Sequence, residues 1–296
     1  MQRGKTIRLR YAGLLLLLST VPQAGAQTAT LAGLTDNWFV TSDSVRLHYL
    51  SGGSGSTIVF VPGWTMPADI WGPQLRYFAR SHRVIALDPR SQGASDRVSE
   101  GNFVGRRAQD VHELLHHLGA QHVVLVVWSL GVVEALELVE RFGTADIAGL
   151  VLVDGLIWVS PNSSAAGFVD STLVRLLRDR RTFTPAFVRD MYRTHRDPQY
   201  LKQLTRVALS TPTPTAYTLF ASAYAVGRRD WRSALRRVDR PVLCIGTGFM
   251  REAADTVRAT VPDAQVEIFE HAGHAIFVDE PERFNRVLER FVQRLP

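Results

Sequence analysis

Six short apolar runs recur along the chain, at Ile58 to Val61, Val84 to Leu87, Val123 to Val127, Leu150 to Val153, Val242 to Ile245 and Val266 to Phe269. They are short, rich in valine and isoleucine and mostly too continuous to leave a polar face, which predicts buried strands. Most of the stretches between them carry helical periodicity. Ahead of the third run, Val111, Leu114, Leu115 and Leu118 fall at i, i+3, i+4 and i+7, and Gly119 ends the pattern. Trp38 to Val40 and Val45 to Leu50 lie close enough to form an antiparallel edge hairpin. Two edge strands followed by alternating strand and helix predict an α/β fold, a mostly parallel eight-stranded sheet with helices on both faces. From about residue 160 to 237 the rhythm breaks. That segment has helical stretches, five prolines (Pro161, Pro185, Pro198, Pro212 and Pro214) and no convincing strand, so it is expected to form a helical cap over the sheet's carboxyl edge.

The first residues stand apart from this pattern. Arg3, Lys5, Arg8 and Arg10 precede an apolar run from Tyr11 to Leu18, and Ala24-Gly25-Ala26 supplies a small-residue cleavage pattern. This is the layout of a secretory signal peptide. The run is well short of the roughly 20 apolar residues that span a bilayer, so no stable membrane insertion is expected. Cleavage after Ala26 leaves residues 27–296 as a single exported domain, periplasmic or secreted. The leading cations also account for most of the formal net charge of +6; without them 30 Arg and Lys face 28 Asp and Glu, a balance of +2. Nothing in that balance favours a nucleic-acid partner. With one cysteine, Cys244, no internal disulfide can form, and its place in an apolar run predicts a buried, inert thiol.

The chemistry starts at Val123-Val124-Leu125-Val126-Val127-Trp128-Ser129-Leu130-Gly131, where a strand pattern breaks at a serine and a helical one resumes. A serine on such a turn exposes its hydroxyl at the carboxyl edge of a sheet. The first N–H groups of the next helix then aim at whatever the hydroxyl attacks. The usual pattern there is G-x-S-x-G; this chain keeps only the second glycine, Gly131, and has Val127 at the first position.

Three further motifs accompany the serine turn. Val59-Phe60-Val61-Pro62-Gly63-Trp64 is similar to the strand and H-G-x turn that supplies an oxyanion-hole N–H, with Pro62 in place of histidine. Asp88-Pro89-Arg90-Ser91-Gln92-Gly93-Ala94-Ser95 is similar to D-x-R-G-x-G-x-S, and Ala272-Gly273-His274 with Phe277 and Glu280-Pro281-Glu282 to a G-H segment and its following helix. In this order and spacing they resemble the α/β-hydrolase superfamily over nearly all of residues 27–296. The nearest branch holds esterases, cofactor-free haloperoxidases and carbon–carbon hydrolases with a helical cap. The resemblance implies a serine hydrolase without metal or cofactor, acting on a small ester-like molecule. Haloalkane dehalogenases and epoxide hydrolases of this fold carry aspartate where Ser129 stands.

A serine hydroxyl needs a base within hydrogen-bond reach and a third group to fix that base's tautomer. The resemblance implies His274 as the base, with His271 as a spare candidate. Family members most often carry the acid after the strand corresponding to Val242 to Ile245, but Gly246-Thr247-Gly248-Phe249-Met250-Arg251-Glu252 holds no aspartate. Asp154, directly after the preceding strand, keeps the order Ser, Asp, His and is the first choice; Glu252 and Asp255 stay open as alternatives. The N–H groups of Leu130 and Trp64 are the implied oxyanion hole. Trp128, Met66, Trp158 and Phe277 are expected to line the substrate pocket, together with the Trp64 side chain.

One motif points to another class. His112-Glu113-Leu114-Leu115-His116 matches H-E-x-x-H, which on a helix puts two histidines on one face for zinc and a glutamate beside them as base. The helix leads directly into the serine turn and no third ligand follows at metalloprotease spacing, so a zinc hydrolase is the weaker reading. Other features are blander. Gly52-Gly53-Ser54-Gly55-Ser56 precedes a strand and offers no helix N-terminus to an anion. Asp88 is expected to organise its own turn, Arg178 to Arg181 a solvated helix face, and His195 the surface. The expected function is hydrolysis of carboxylic esters or related acyl compounds through an acyl-enzyme on Ser129. The rival is a ligand-binding or sensing protein on the same fold, suggested by Val127, Pro62 and the missing acid.

Overall fold

Alternate residues along the central strands divide the core into two layers. In the computed structural model, which describes residues 33–160, 163–225 and 230–296, the strands are β1 (Thr35–Val40), β2 (Arg46–Gly52), β3 (Thr57–Val61), β4 (Arg83–Leu87), β5 (Val123–Trp128), β6 (Ile147–Val153), β7 (Val242–Thr247) and β8 (Gln265–Phe269). They form one sheet in the order β1-β2-β4-β3-β5-β6-β7-β8. β2 pairs antiparallel with β1 and β4, and every later pairing is parallel. The expected eight strands, edge hairpin included, are therefore the observed ones.

Ten α-helices are found among the described residues, the first eight between strands and the last two after β8: α1 (Gly72–Phe78), α2 (Val104–His117), α3 (Leu130–Phe142), α4 (Ser164–Asp190), α5 (Pro198–Ser210), α6 (Thr213–Tyr224), α7 (Arg232–Leu235), α8 (Arg251–Thr260), α9 (Ile276–Asp279) and α10 (Pro281–Val292). Val59, Val61, Val123, Leu125 and Val127 face α2, α3 and α8. Ile58, Phe60, Val124, Val126 and Trp128 face α1, α9 and α10. Because β5 has a layer on each side, all six of its residues are buried, and that is why it reads as a continuous apolar run. Val111, Leu114 and Leu115 of α2 are fully buried. Each contributes about 1.5 to 3 kcal/mol, so packing rather than propensity holds that helix.

Helices α4 to α7 lie between β6 and β7, where the cap was expected. α4 is broken at Asp179, whose backbone is extended (φ −159°, ψ 79°) and whose carboxylate accepts the Thr182 N–H at 3.1 Å, restarting the helix. No helix of the described residues is long and apolar enough to cross a membrane. The expected export signal, residues 1–26, lies outside the described residues.

Candidate active site

One residue separates β5 from α3, and that residue is Ser129. So abrupt a reversal forces it to φ 56°, ψ −117°, a positive-φ conformation that costs a residue with a Cβ on the order of 1 to 3 kcal/mol. Neighbours hold it there. The Ser129 N–H donates to Val153 O at 2.9 Å. A Cβ on Gly63 would sit 2.9 Å from Ser129 Cβ, and one on Gly155 would sit 2.6 Å from Ser129 O and 2.4 Å from Val132 Cγ2. Both flanking loops must therefore be bare at these points. Val127, where the family pattern has glycine, is buried inside β5 and pairs with Val61 and Leu152.

Parallel strands end at one edge of the sheet, and this edge gathers the candidate residues. Asp154 immediately follows β6, Thr247 ends β7, and His274 lies in the loop after β8. His274 Nε2 is 2.9 Å from Ser129 Oγ, and its Nδ1 is 2.7 Å from Asp154 Oδ2. A carboxylate can only accept, so Nδ1 carries the proton and Nε2 is free to accept from the serine hydroxyl. Asp154 is 3% exposed, and its second oxygen accepts from the N–H (2.7 Å) and the hydroxyl (3.0 Å) of Thr247. Three donors thus hold the carboxylate in place. Glu252 and Asp255 stand outside this chain of bonds: both are exposed on α8, and Asp255 pairs with Arg258. His271 and His195 are exposed as well.

Thr247 was not singled out in the sequence. The signal was faint, a hydroxyl residue at the end of the strand where relatives of this fold carry their acid. Asp279 was missed too. Its carboxylate accepts from the N–H groups of Gly273 and Arg193 (2.7 Å each), from Thr194 Oγ1 (2.6 Å) and from Arg196 (2.7 Å), tying the His274 loop to the end of α4. Gln92 is the third. It donates to Gly63 O and Met66 O and accepts from Thr65 N–H, which fastens the turn carrying Trp64. Asp88 organises its own loop as expected, accepting from Ala68 N–H and Ala94 N–H and facing His48 Nδ1 at 2.7 Å.

A cavity of about 570 Å³ opens onto Ser129 and His274. Trp64 and Leu130 line it beside the serine, and Phe187, Met191, Phe220 and Tyr224 from the cap make the wall largely apolar. Leu130 opens α3, so its N–H has no acceptor within the helix. The N–H groups of Thr65 and Met66 are committed to Gln92 and Gly63, whereas that of Trp64 enters none of the turn's bonds. The Trp64 side chain meets Phe187 and Phe220 edge-on at 5.4 Å, and its indole donates to Ala216 O. Apart from buried Asp154, the charged lining residues Asp190, Arg193 and Glu270 are exposed.

The other expected pocket residues are corrected by the structure. Trp128, Met66 and Phe277 are fully buried in the layer facing α1, α9 and α10, because Trp128 shares its side of β5 with Val124 and Val126. Phe277 stacks on Trp71 at 3.8 Å, and the Trp128 indole donates to His274 O at 2.9 Å, so these rings support the histidine loop from behind. Trp158 is half-buried with the Arg232 guanidinium over its ring and takes no part in the cavity lining. In the H-E-x-x-H motif, Glu113 accepts from the N–H and hydroxyl of Ser42 (2.8 and 2.6 Å) and from Arg106 (3.0 Å). Burial alone would raise its pKa, but these donors outweigh it and hold the carboxyl low. A base so engaged does not suit zinc-dependent hydrolysis.

The strand-to-helix serine, its histidine and carboxylate, and the sheet order define a class, and the chain belongs to the alpha/beta hydrolase family, whose model matches residues 58–287. Among similar proteins is a non-heme chloroperoxidase of Kitasatospora aureofaciens, 26% identical over 276 residues that cover 86% of this chain and 98% of that protein. A pimeloyl-[acyl-carrier protein] methyl ester esterase of Aliivibrio salmonicida is 26% identical over 266 residues, 84% of this chain and 97% of that one. Two solved structures share the fold over 88% of this chain and 100% of theirs. They are a bromoperoxidase from Bacillus anthracis (TM-score 0.80, 18% identity) and an esterase from Exiguobacterium antarcticum (TM-score 0.79, 20% identity).

Proposed function

We propose that this protein is an exported serine esterase that cleaves small to medium carboxylic esters or related acyl compounds. The observation that carries the reading is the unbroken chain Ser129 Oγ to His274 Nε2 and His274 Nδ1 to Asp154 Oδ2, at 2.9 and 2.7 Å, at the floor of an apolar cavity. As the Ser129 oxygen bonds to the substrate carbonyl carbon, His274 Nε2 takes the hydroxyl proton. Asp154 stays ionised and stabilises the imidazolium. The carbonyl oxygen takes up the negative charge between the N–H groups of Leu130 and Trp64. Such donors each contribute about 3 to 4 kcal/mol when they meet charge that develops only in the transition state. The intermediate then collapses, the ester C–O bond breaks, and His274 returns the proton to the leaving alcohol. Water repeats the sequence on the acyl-enzyme and regenerates Ser129. An apolar wall, with every charge but the His274-paired Asp154 on exposed residues, favours uncharged acyl groups. Export rests on the basic, apolar and small-residue pattern of residues 1–26.

The test is labelling of the purified protein by a fluorophosphonate, with the adduct mapped by peptide mass spectrometry, alongside turnover of p-nitrophenyl acetate, butyrate and octanoate. The expected result is one adduct on Ser129 and ester turnover abolished in Ser129→Ala. A folded protein that neither labels nor hydrolyses any of the three esters would refute the mechanism and favour the ligand-binding alternative. N-terminal sequencing of protein recovered outside the cytoplasm tests export, with Gln27 expected first.

A further inference from the structure

The H-E-x-x-H helix carries a different possibility from the one its motif suggests. His112 and His116 are one turn apart on α2 and so share a face. The third ligand absent from the expected metalloprotease spacing comes from another element, the turn between α3 and β6. There Asp146 places a carboxylate oxygen so that it and one ring nitrogen of each histidine all lie within 4.8 Å of one another. Among the described residues no hydrogen bond or ion pair within the protein occupies these three side chains. The nearby Arg141 guanidinium is engaged with Gly105 O and Gln109.

The neighbourhood holds the group in place. The His112 ring lies flat on Phe142 (centroids 4.0 Å apart, planes 2° apart) and meets the His116 ring edge-on at 4.5 Å. α2 and α3 pack on the same face of the sheet, and Asp146 O accepts the Val123 N–H at 2.8 Å, which fixes its backbone to the start of β5. An ion about 2.0 to 2.1 Å from each ligand needs donor separations of roughly 3.4 Å, a closure within reach of side-chain rotation at exposed His116 and half-buried Asp146. Two imidazoles and one carboxylate suit a borderline divalent transition ion and leave a coordination position for water. Hard ions such as Mg²⁺ prefer an all-oxygen shell.

We propose that His112, His116 and Asp146 form a structural binding site for a divalent transition ion, Zn²⁺ foremost, which clips the end of α2 to the turn entering β6. The site is separate from ester chemistry. Asp146 directly precedes β6 and Asp154 directly follows it, so the strand sets the two roughly 25 Å apart at opposite edges of the sheet. Glu113, the motif's would-be base, belongs to the Ser42 and Arg106 contacts instead.

Chelator-stripped full protein is titrated with ZnCl₂ by calorimetry, and retained metal is measured after gel filtration. One zinc per chain is expected, with a rise in the thermal midpoint. His116→Ala and Asp146→Asn, both outside the packed core, should each weaken binding roughly a hundredfold or more while the circular dichroism of the apo-protein is unchanged. MgCl₂ should give no comparable binding, and hydrolysis of p-nitrophenyl butyrate should be the same in zinc-loaded and stripped protein. Absence of retained zinc would overturn the proposal. So would equal binding in both variants, which means an adventitious ion only, and so would Mg²⁺ binding as tight as Zn²⁺.

Discussion

Replacing Asp154 by asparagine exchanges one oxygen for an NH₂ and tests the whole chain of donors. In the native site one carboxylate oxygen accepts from Thr247 twice, at 2.7 Å from its N–H and 3.0 Å from its hydroxyl, and the other accepts from His274 Nδ1 at 2.7 Å. The backbone N–H of Thr247 cannot become an acceptor, so in Asp154→Asn the amide oxygen must face Thr247 and the NH₂ must face His274. Two donors then oppose each other unless the imidazole moves its proton to Nε2. In that tautomer Nε2 can no longer accept from Ser129 Oγ, and the base is lost while the packing stays. Replacing the orienting carboxylate of such a triad by its amide lowers turnover by about 10⁴, equivalent to about 5.4 kcal/mol of barrier. The assay is kcat for p-nitrophenyl butyrate at neutral pH together with the fluorophosphonate labelling rate and the thermal midpoint. Both rates should collapse with the midpoint close to that of the native protein. Turnover within tenfold of native would refute the assignment of Asp154.

Three further outcomes follow from the same geometry. Gly155→Ala drives a Cβ into Ser129 O and Val132, of which the carbonyl cannot give way cheaply; overpacking of this kind costs about 1 to 3 kcal/mol, and the thermal midpoint should fall by roughly 2 to 10 °C with a slower labelling rate. A midpoint and labelling rate equal to native would contradict the close approach. Asp279→Asn removes the charge that gathers Gly273, Arg193, Thr194 and Arg196, a loss of about 3 kcal/mol at pH 7. Burial would raise the Asp279 pKa, but its donors outweigh it and hold it below the usual value, so its contribution is present above about pH 4 and lost as pH falls through the depressed pKa. The gap between native and variant midpoints should therefore narrow on acidification; a gap unchanged from about pH 7 to about pH 3 would argue against a charge effect. Burial pushes the Cys244 thiol up to about 12, so the folded protein should resist an aromatic disulfide reagent at about pH 8 and react stoichiometrically once denatured. Rapid reaction of the folded protein would show that Cys244 is accessible.

What could be read from the chain divides along physical lines. Strands buried on both faces leave continuous apolar runs, so Val123 to Trp128 stood out and carried Ser129 with it. His274 and Asp154 were legible because a parallel sheet collects strand ends at one edge, which turns chain order into proximity. Side-chain facing was harder. Trp128 and Phe277 lie close to Ser129 and His274 in sequence, yet the period of two in β5 sends Trp128 to the far layer, where it braces the His274 carbonyl. Residues that act through hydrogen bonds to loops distant in the fold left little or no pattern. Thr247, Gln92 and Asp279 have no periodicity to betray them, and each becomes meaningful only when its partner, 93, 29 or 6 residues away, is seen beside it. The same logic governs Asp146. An i, i+4 histidine pair is visible within one helix, whereas its third member lies beyond β5 and α3, and only the fold brings the three together. Proximity made by the sheet, rather than spacing within a motif, thus assembles both groups of side chains: it brings His274 and Asp154 to Ser129, and Asp146 to the histidine pair.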